Sequence, residues 1–220
     1  MHTVKDLADL TGHPVEWVRA LALSPDGSYL YLATGSYSME NGKVDAVAVD
    51  RTSGVLTAVG HFSAGETGIE FVNAYWWPSH LRMKPGGEQL YAWGKTAQVV
   101  VLSRDSTTGA TELIEVHELA SDVPGDGGAW LDGWLHDLQP TSDGLTLYGT
   151  VSYQVEMGGP VEADLIRYLA NPQTGLLEAV DATSLSGIEG VEYGPQMSSE
   201  AGKLAISGGG DWLAMTMGSV

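Results

Sequence analysis

Four glycine-closed turns recur at nearly constant intervals, and this recurrence limits the fold more than any other feature of the chain. "SPDG" ends at Gly27, "KPGG" at Gly87, "TSDG" at Gly144 and "SEAG" at Gly202, giving intervals of 60, 57 and 58 residues. Each turn leads into an apolar or aromatic run: "SYLYLATG", "EQLYAWG", "LTLYGT" and "KLAISGG". Self-similarity at such a period marks a solenoid, propeller or array. A second marker keeps the same beat. "VAVDRTSGVLTAVG", "VVLSRDSTTGATELIEV" and "RYLANPQTGLLEAV" place Gly54, Gly109 and Gly175 between two strand-like runs. A third is an aromatic residue ten positions before the first glycine, at Trp17, Trp77 and Trp134, with Tyr193 nine before Gly202.

Each repeat therefore reads strand, SPDG-like turn, strand, variable loop, strand, TG turn, strand. The runs "YLYLAT" and "VDAVAV" alternate with period two, as half-buried strands do. Four antiparallel strands per repeat make a propeller blade. The expected fold is all-β, a β-propeller of about four four-stranded blades in a single domain, 1–220. The blades fall at about 13–63, 64–121, 122–185 and 186–220. The fourth copy would end in its third strand at "DWLAMTMGSV", and residues 1–12, through "HTVKDLADL", would supply a closing strand. Two alternatives stay open: the blades belong to a larger seven- or eight-bladed ring, or two chains complete one ring as a homodimer.

The chain carries 28 Asp and Glu against 10 Lys and Arg, a formal net charge of −18. Such a surface repels phosphate backbones and anionic lipid, so neither nucleic acid nor a membrane surface is expected as a partner. No run of 18 apolar residues exists to span a bilayer. "MHTVKDLADLTG" lacks the basic and apolar regions of a signal peptide. The absence of cysteine removes disulfides and thiolate metal sites and leaves the compartment open. The GxSxG, HExxH, Walker and GxGxxG patterns are missing as well, and the six histidines show no tight metal-ligand pair along the sequence.

"SPDGSYLYLATGS", "VDAVAVDRTSGVLTAV", "VVVLSRDSTTGATELIEV" and "PSHLRMKPGGEQLYAW" resemble the repeats of the lactonase-family propellers related to phosphogluconolactonase. The resemblance covers most of the chain at repeat level. It implies hydrolysis of a sugar or other small lactone by histidine-activated water. That family's usual ring has seven blades. Its members tend to carry Asn-Glu at the end of a blade's second strand, where this chain reads "ATGS", "WGKT", "TVSY" and "GGGD".

On that reading His80 and His136, each near the first strand of a blade, are candidate bases. Arg82, two residues after His80, would share its strand face and stabilise an oxyanion, and Arg19 would take a related place in the first blade. Glu70 and Glu189, in the matching segments "TGIEFVNAYWWPSH" and "SGIEGVEYGPQM", are candidate ligand-binding carboxylates. Trp77 and Trp134 could stack on a sugar face, although packing between blades would use them equally well. Trp76 and Trp130 break the repeat and suit a ligand-facing role. No cofactor is expected. Calcium is the one ion that the acidic loop, with Asp122, Asp126, Asp132 and Asp137, could serve, although its spacing is not that of an EF-hand. The competing reading is a non-catalytic propeller that binds a small, sugar-like molecule or a protein through its loop face.

Overall fold

The turns that the sequence repeats are built from the same bonds each time. The computed structural model describes residues 6–35, 42–63, 78–94, 98–118, 132–154, 161–185 and 202–216. In the first turn the Gly27 amide donates to the Ser24 carbonyl at 2.8 Å, and Gly27 sits at φ 70°, a backbone region that side chains disfavour. Asp26 Oδ1 accepts from the Ser24 hydroxyl at 2.5 Å and from the Ser28 amide at 3.0 Å. Asp143 does the same for Thr141 and Leu145 in the third turn. In the TG turns, Asp50, Asp105 and Asn171 each accept two following amides through Oδ1. These are side-chain turns of the kind that make Asp and Asn common at such positions.

Fourteen strands and one short helix result among the described residues. Helix α1 spans Leu7–Thr11. The first blade is β1 (Trp17–Leu23), β2 (Tyr29–Gly35), β3 (Lys43–Val49) and β4 (Leu56–Ser63). The second is β5 (His80–Met83), β6 (Gln89–Trp93), β7 (Gln98–Arg104) and β8 (Thr111–Glu118). The third is β9 (Asp132–Pro140), β10 (Thr146–Gln154), β11 (Val161–Ala170) and β12 (Leu177–Ser184), and a hairpin follows, β13 (Leu204–Ile206) and β14 (Leu213–Met215). Each blade is an antiparallel sheet with its strands in chain order. The middle strands are buried throughout much of their length, as in "QLYAW" of β6, and β1 and β4 are more open.

Two expectations change. Residues 7–11 are helical rather than a closing strand. Asp6 caps the helix by accepting from the Ala8 amide, Gly12 ends it at φ 75°, and Leu7 and Leu10 pack against Leu32 and Val47. The fourth copy is also shifted. Its SPDG-like turn is Ser207–Gly210, where the Gly210 amide donates to the Ser207 carbonyl at 2.8 Å. Thus β13 and β14 are that copy's first and second strands, and Gly202 lies ahead of both.

The chain divides into two compact units, residues 1–95 with 100–115 and residues 96–99 with 116–220. In the first unit, neighbouring blades are tied by polar groups inside the core. Arg104 of β7 is buried; its Nε donates to the Tyr31 hydroxyl at 3.0 Å and its Nη1 to the Gly87 carbonyl at 3.0 Å. Its Nη2 reaches Asp26 at 3.3 Å. Tyr31 in turn donates to the Gly109 carbonyl at 2.9 Å, and Tyr29 donates to Thr107. The first turn of one blade and the TG turn of the next are thereby held together. The Ser24 hydroxyl and the Ser28 amide, with help from Arg104, hold the Asp26 carboxyl down at about 2.

Candidate functional site

The first strand of each blade carries the candidate residues, and the register shows which of them correspond. His80 pairs with Trp93 across β5–β6, Ala20 with Ala33 across β1–β2, and Asp137 with Thr150 across β9–β10. His80, Ala20 and Asp137 therefore occupy one blade position. Between Val18 and Ala20 the register slips by one residue, and Arg19 is the extra one. The same slip between Leu135 and Asp137 makes His136 the extra residue of β9. A bulge of this kind re-aims the inserted side chain. Arg19 therefore corresponds to His136, and Arg82 to Ala22. Arg19 and Arg82, expected at related places, thus differ in blade position, and His80 and His136 lie in the first strands of their blades at different positions.

His80 is held by two contacts. Its Nδ1 meets the Ser79 hydroxyl at 2.9 Å, and its ring stacks on Trp93 at a centroid distance of 5.0 Å and an interplanar angle of 7°. Trp93 is itself buried, so the ring is fixed against a rigid surface. Arg82 lies two residues on, and period-two alternation puts both side chains on one face while Leu81 turns into the core. A histidine whose plane and one nitrogen are fixed, with an arginine on the same strand face, is the kind of pair that proton transfer at a carbonyl can use.

His136 sits differently. It is buried, its Nε2 lies 2.7 Å from the Ser152 hydroxyl, and its Cβ is only 3.1 Å from where a side chain on Gly202 would begin. The Lys203 ammonium donates to its carbonyl at 3.1 Å. Burial, with the Lys203 charge second, holds the imidazole below its ordinary value of 6.5. Ser152 is fully buried, so this pair is packed inside the second unit. Beside it, Asp137 accepts from the Leu138 and Leu204 amides at 2.9 Å each. That carboxylate fastens β13 to β9.

A pH dependence follows. The folded His136 resists protonation that the unfolded chain accepts near 6.5, so its contribution to stability is full above that pH. Stability should fall as pH drops from 6.5 toward the lower folded value. Urea midpoints at pH 7.5 and 5.5 measure the change, and His136→Gln should flatten it.

Arg19 lies over the Trp17 ring, 5.4 Å from its centroid, and Trp17 in turn covers Gly35. Trp17 therefore packs within its own blade, whereas Trp134 is 37% exposed. Glu70, Glu189, Trp76, Trp77, Trp130, Tyr193, Asp122 and Asp126 lie outside the described residues, as does the side chain of Asp132. One cluster escaped the sequence reading. His13, Asp45 and His61 bring three ligand-type atoms within 4.8 Å of one another, although no two of them are close in sequence.

No protein-family model matches the chain. No curated protein sequence matches it either. Solved structures do. A protein of Bacteroides uniformis ATCC 8492 assigned as a 6-phosphogluconolactonase superposes with a TM-score of 0.59 at 20% identity, over 91% of this chain and 47% of that one. The chain thus spans about half the length of that neighbour. The hydrazine synthase of Kuenenia stuttgartiensis superposes with a TM-score of 0.50 at 17% identity, over 90% of this chain and 49% of that one. The periplasmic gluconolactonase PpgL of Pseudomonas aeruginosa gives 0.43 at 17% identity, over 88% and 61%. Enzymes of unlike chemistry share the fold, so activity has to be argued from the site. The blades, their turns and the first of these likenesses together give the chain the fold of a β-propeller.

Proposed function

We propose that this chain contributes to a hydrolase of a sugar or other small lactone, with His80 as the base and Arg82 as the oxyanion partner. The observation that carries the reading is the fixed His80 ring, bonded to Ser79 and stacked on Trp93, with Arg82 on the same face of β5. In a propeller the first strand of a blade faces the channel, where a small ligand can reach such a pair. His80 takes a proton from water, and the hydroxide adds to the lactone carbonyl. Arg82 offsets the negative charge gathering on the carbonyl oxygen. The ring C–O bond then breaks, His80 returns its proton to the departing alkoxide, and a hydroxy acid results. No ion enters this scheme. The strong acidic charge of the chain does not oppose a neutral lactone.

The test is hydrolysis of a panel of aldonolactones followed by pH-stat, with ligand binding measured in parallel. His80→Ala is expected to lower kcat/KM by ~10²–10⁴-fold, the usual worth of a positioned acid–base group. Arg82→Met should cost ~10²–10³-fold in kcat. His80→Gln, which keeps a hydrogen-bonding side chain over Trp93, controls for folding. Saturable lactone binding without turnover by the parent chain would replace this reading with that of a binding module.

A further inference from the structure

We infer that His13, Asp45 and His61 form a binding site for a divalent transition-metal ion of the zinc class, which fastens the segment carrying α1 to the first blade. The inference is independent of the lactone chemistry at His80 and shares no residue with it.

The fold assembles the three side chains from separate places. Asp45 of β3 and His61 of β4 are direct cross-strand partners, so their side chains emerge on one face. His13 arrives from the link between α1 and β1. Its Nε2 lies 2.7 Å from Asp45 Oδ1, and its ring meets that of His61 edge-on at 5.5 Å. The His13 side chain is 8% exposed and that of Asp45 is 2% exposed, whereas His61 opens to solvent.

Two imidazoles and one carboxylate are a mixed nitrogen–oxygen set. Zinc, cobalt, nickel and copper(II) take such donors, whereas calcium and magnesium prefer oxygen alone. Three protein ligands with a water in the fourth position is a common zinc arrangement. The supporting contacts are those of a metal site too. Thr34 Oγ1 donates to Asp45 Oδ2 at 2.5 Å, which turns Oδ1 toward His13. His13 Nδ1 faces the Pro14 carbonyl at 3.2 Å, a contact that only a protonated Nδ1 can make. Nε2 then directs its remaining position at a carboxylate oxygen. A metal ion between Nε2 and Oδ1 would take a lone pair from each.

Tetrahedral bonds of about 2.0–2.1 Å place ligand atoms about 3.4 Å apart. The His13–Asp45 gap must therefore widen by about 0.7 Å, and the outer limit of the cluster must close by about 1.4 Å. The exposed His61 ring can supply most of that by rotation. Lys43 is the resident competitor, since its ammonium lies 2.8 Å from His61 Nε2 and donates into it. An ion using that nitrogen displaces Lys43. The gain is a tether, because His13 follows closely on a helix that Leu7 and Leu10 seat on Leu32 and Val47.

The experiment is titration of the chelator-treated full chain with Zn²⁺ and Ni²⁺ against a chromophoric chelator, with Mg²⁺ and Ca²⁺ as controls. One transition-metal ion per chain should bind. His61→Ala and Asp45→Asn should weaken it at least about tenfold, and Thr34→Val by ~10–100-fold. Lys43→Met should tighten it. Metal should slow amide exchange over residues 7–13 in the parent and not in His61→Ala, which changes an exposed side chain and leaves the fold intact. Equal affinity in the parent and His61→Ala overturns the proposal, as does failure to bind either metal. Binding of Mg²⁺ or Ca²⁺ as tightly as Zn²⁺ overturns it as well.

Discussion

Arg104→Ala is expected to lower unfolding free energy by about 4 kcal/mol, measured as a shift in urea midpoint at unchanged slope. The guanidinium is buried and serves three acceptors: the Tyr31 hydroxyl, the Gly87 carbonyl and Asp26. Its removal leaves two neutral buried acceptors short of a donor, each costing about 1–3 kcal/mol, and opens a cavity where the side chain lay. Asp26 is half exposed and rehydrates, so no unpaired buried charge remains. Arg104→Met refills the space without the donors and should lose about 2 kcal/mol. If the two variants prove equally stable, packing at this position counts for little and hydrogen bonding for nearly everything.

Gly109→Ala should cost about 3 kcal/mol, for two separable reasons. Gly109 lies at φ 74°, where an L side chain is strained by about 1–2 kcal/mol. A Cβ there would also lie 2.1 Å from the Tyr29 ring, which must move and release its bond to Thr107. Gly54 occupies the same turn position in the first blade at φ 72°, with nothing within 4 Å of its would-be Cβ. Gly54→Ala therefore isolates the backbone term. The difference between the two variants in thermal or urea unfolding measures the steric one. Equal losses would mean that Tyr29 yields freely.

The repeat could be read from the sequence because its turns depend on particular residue chemistry. A glycine at positive φ after a short polar run, or after an Asp or Asn that accepts the next amides, leaves the same imprint each time. The imprint also misleads. "SEAG" and "SGGG" both offer a glycine after serine, and only the Gly210-to-Ser207 bond identifies the real turn. The bulges at Arg19 and His136 were hidden because one inserted residue reverses the strand alternation without any compositional mark. His80 and Arg82 were legible as a pair because alternation alone places them on one face. Asp45 and His61 could be matched only by counting outward from the turn closed by Gly54, across a register slip after Ala46. His13 comes from a link whose course depends on how α1 packs. Arg104 contacts partners up to 78 residues away in sequence, so nothing local announces it.

The Arg104 bridge also bears on how the blades come apart. In a repeat array each element has its own weak stability plus a coupling to its neighbour. Here part of the coupling runs through one guanidinium and two tyrosines, which join β2 and the first turn of one blade to β7 and the TG turn of the next. Opening either blade breaks the same bonds, so the pair should behave as one exchange unit under native conditions. Amides of β2 and of β7 would then report a common opening energy. Cutting the bridge at Arg104 would split that single energy into two.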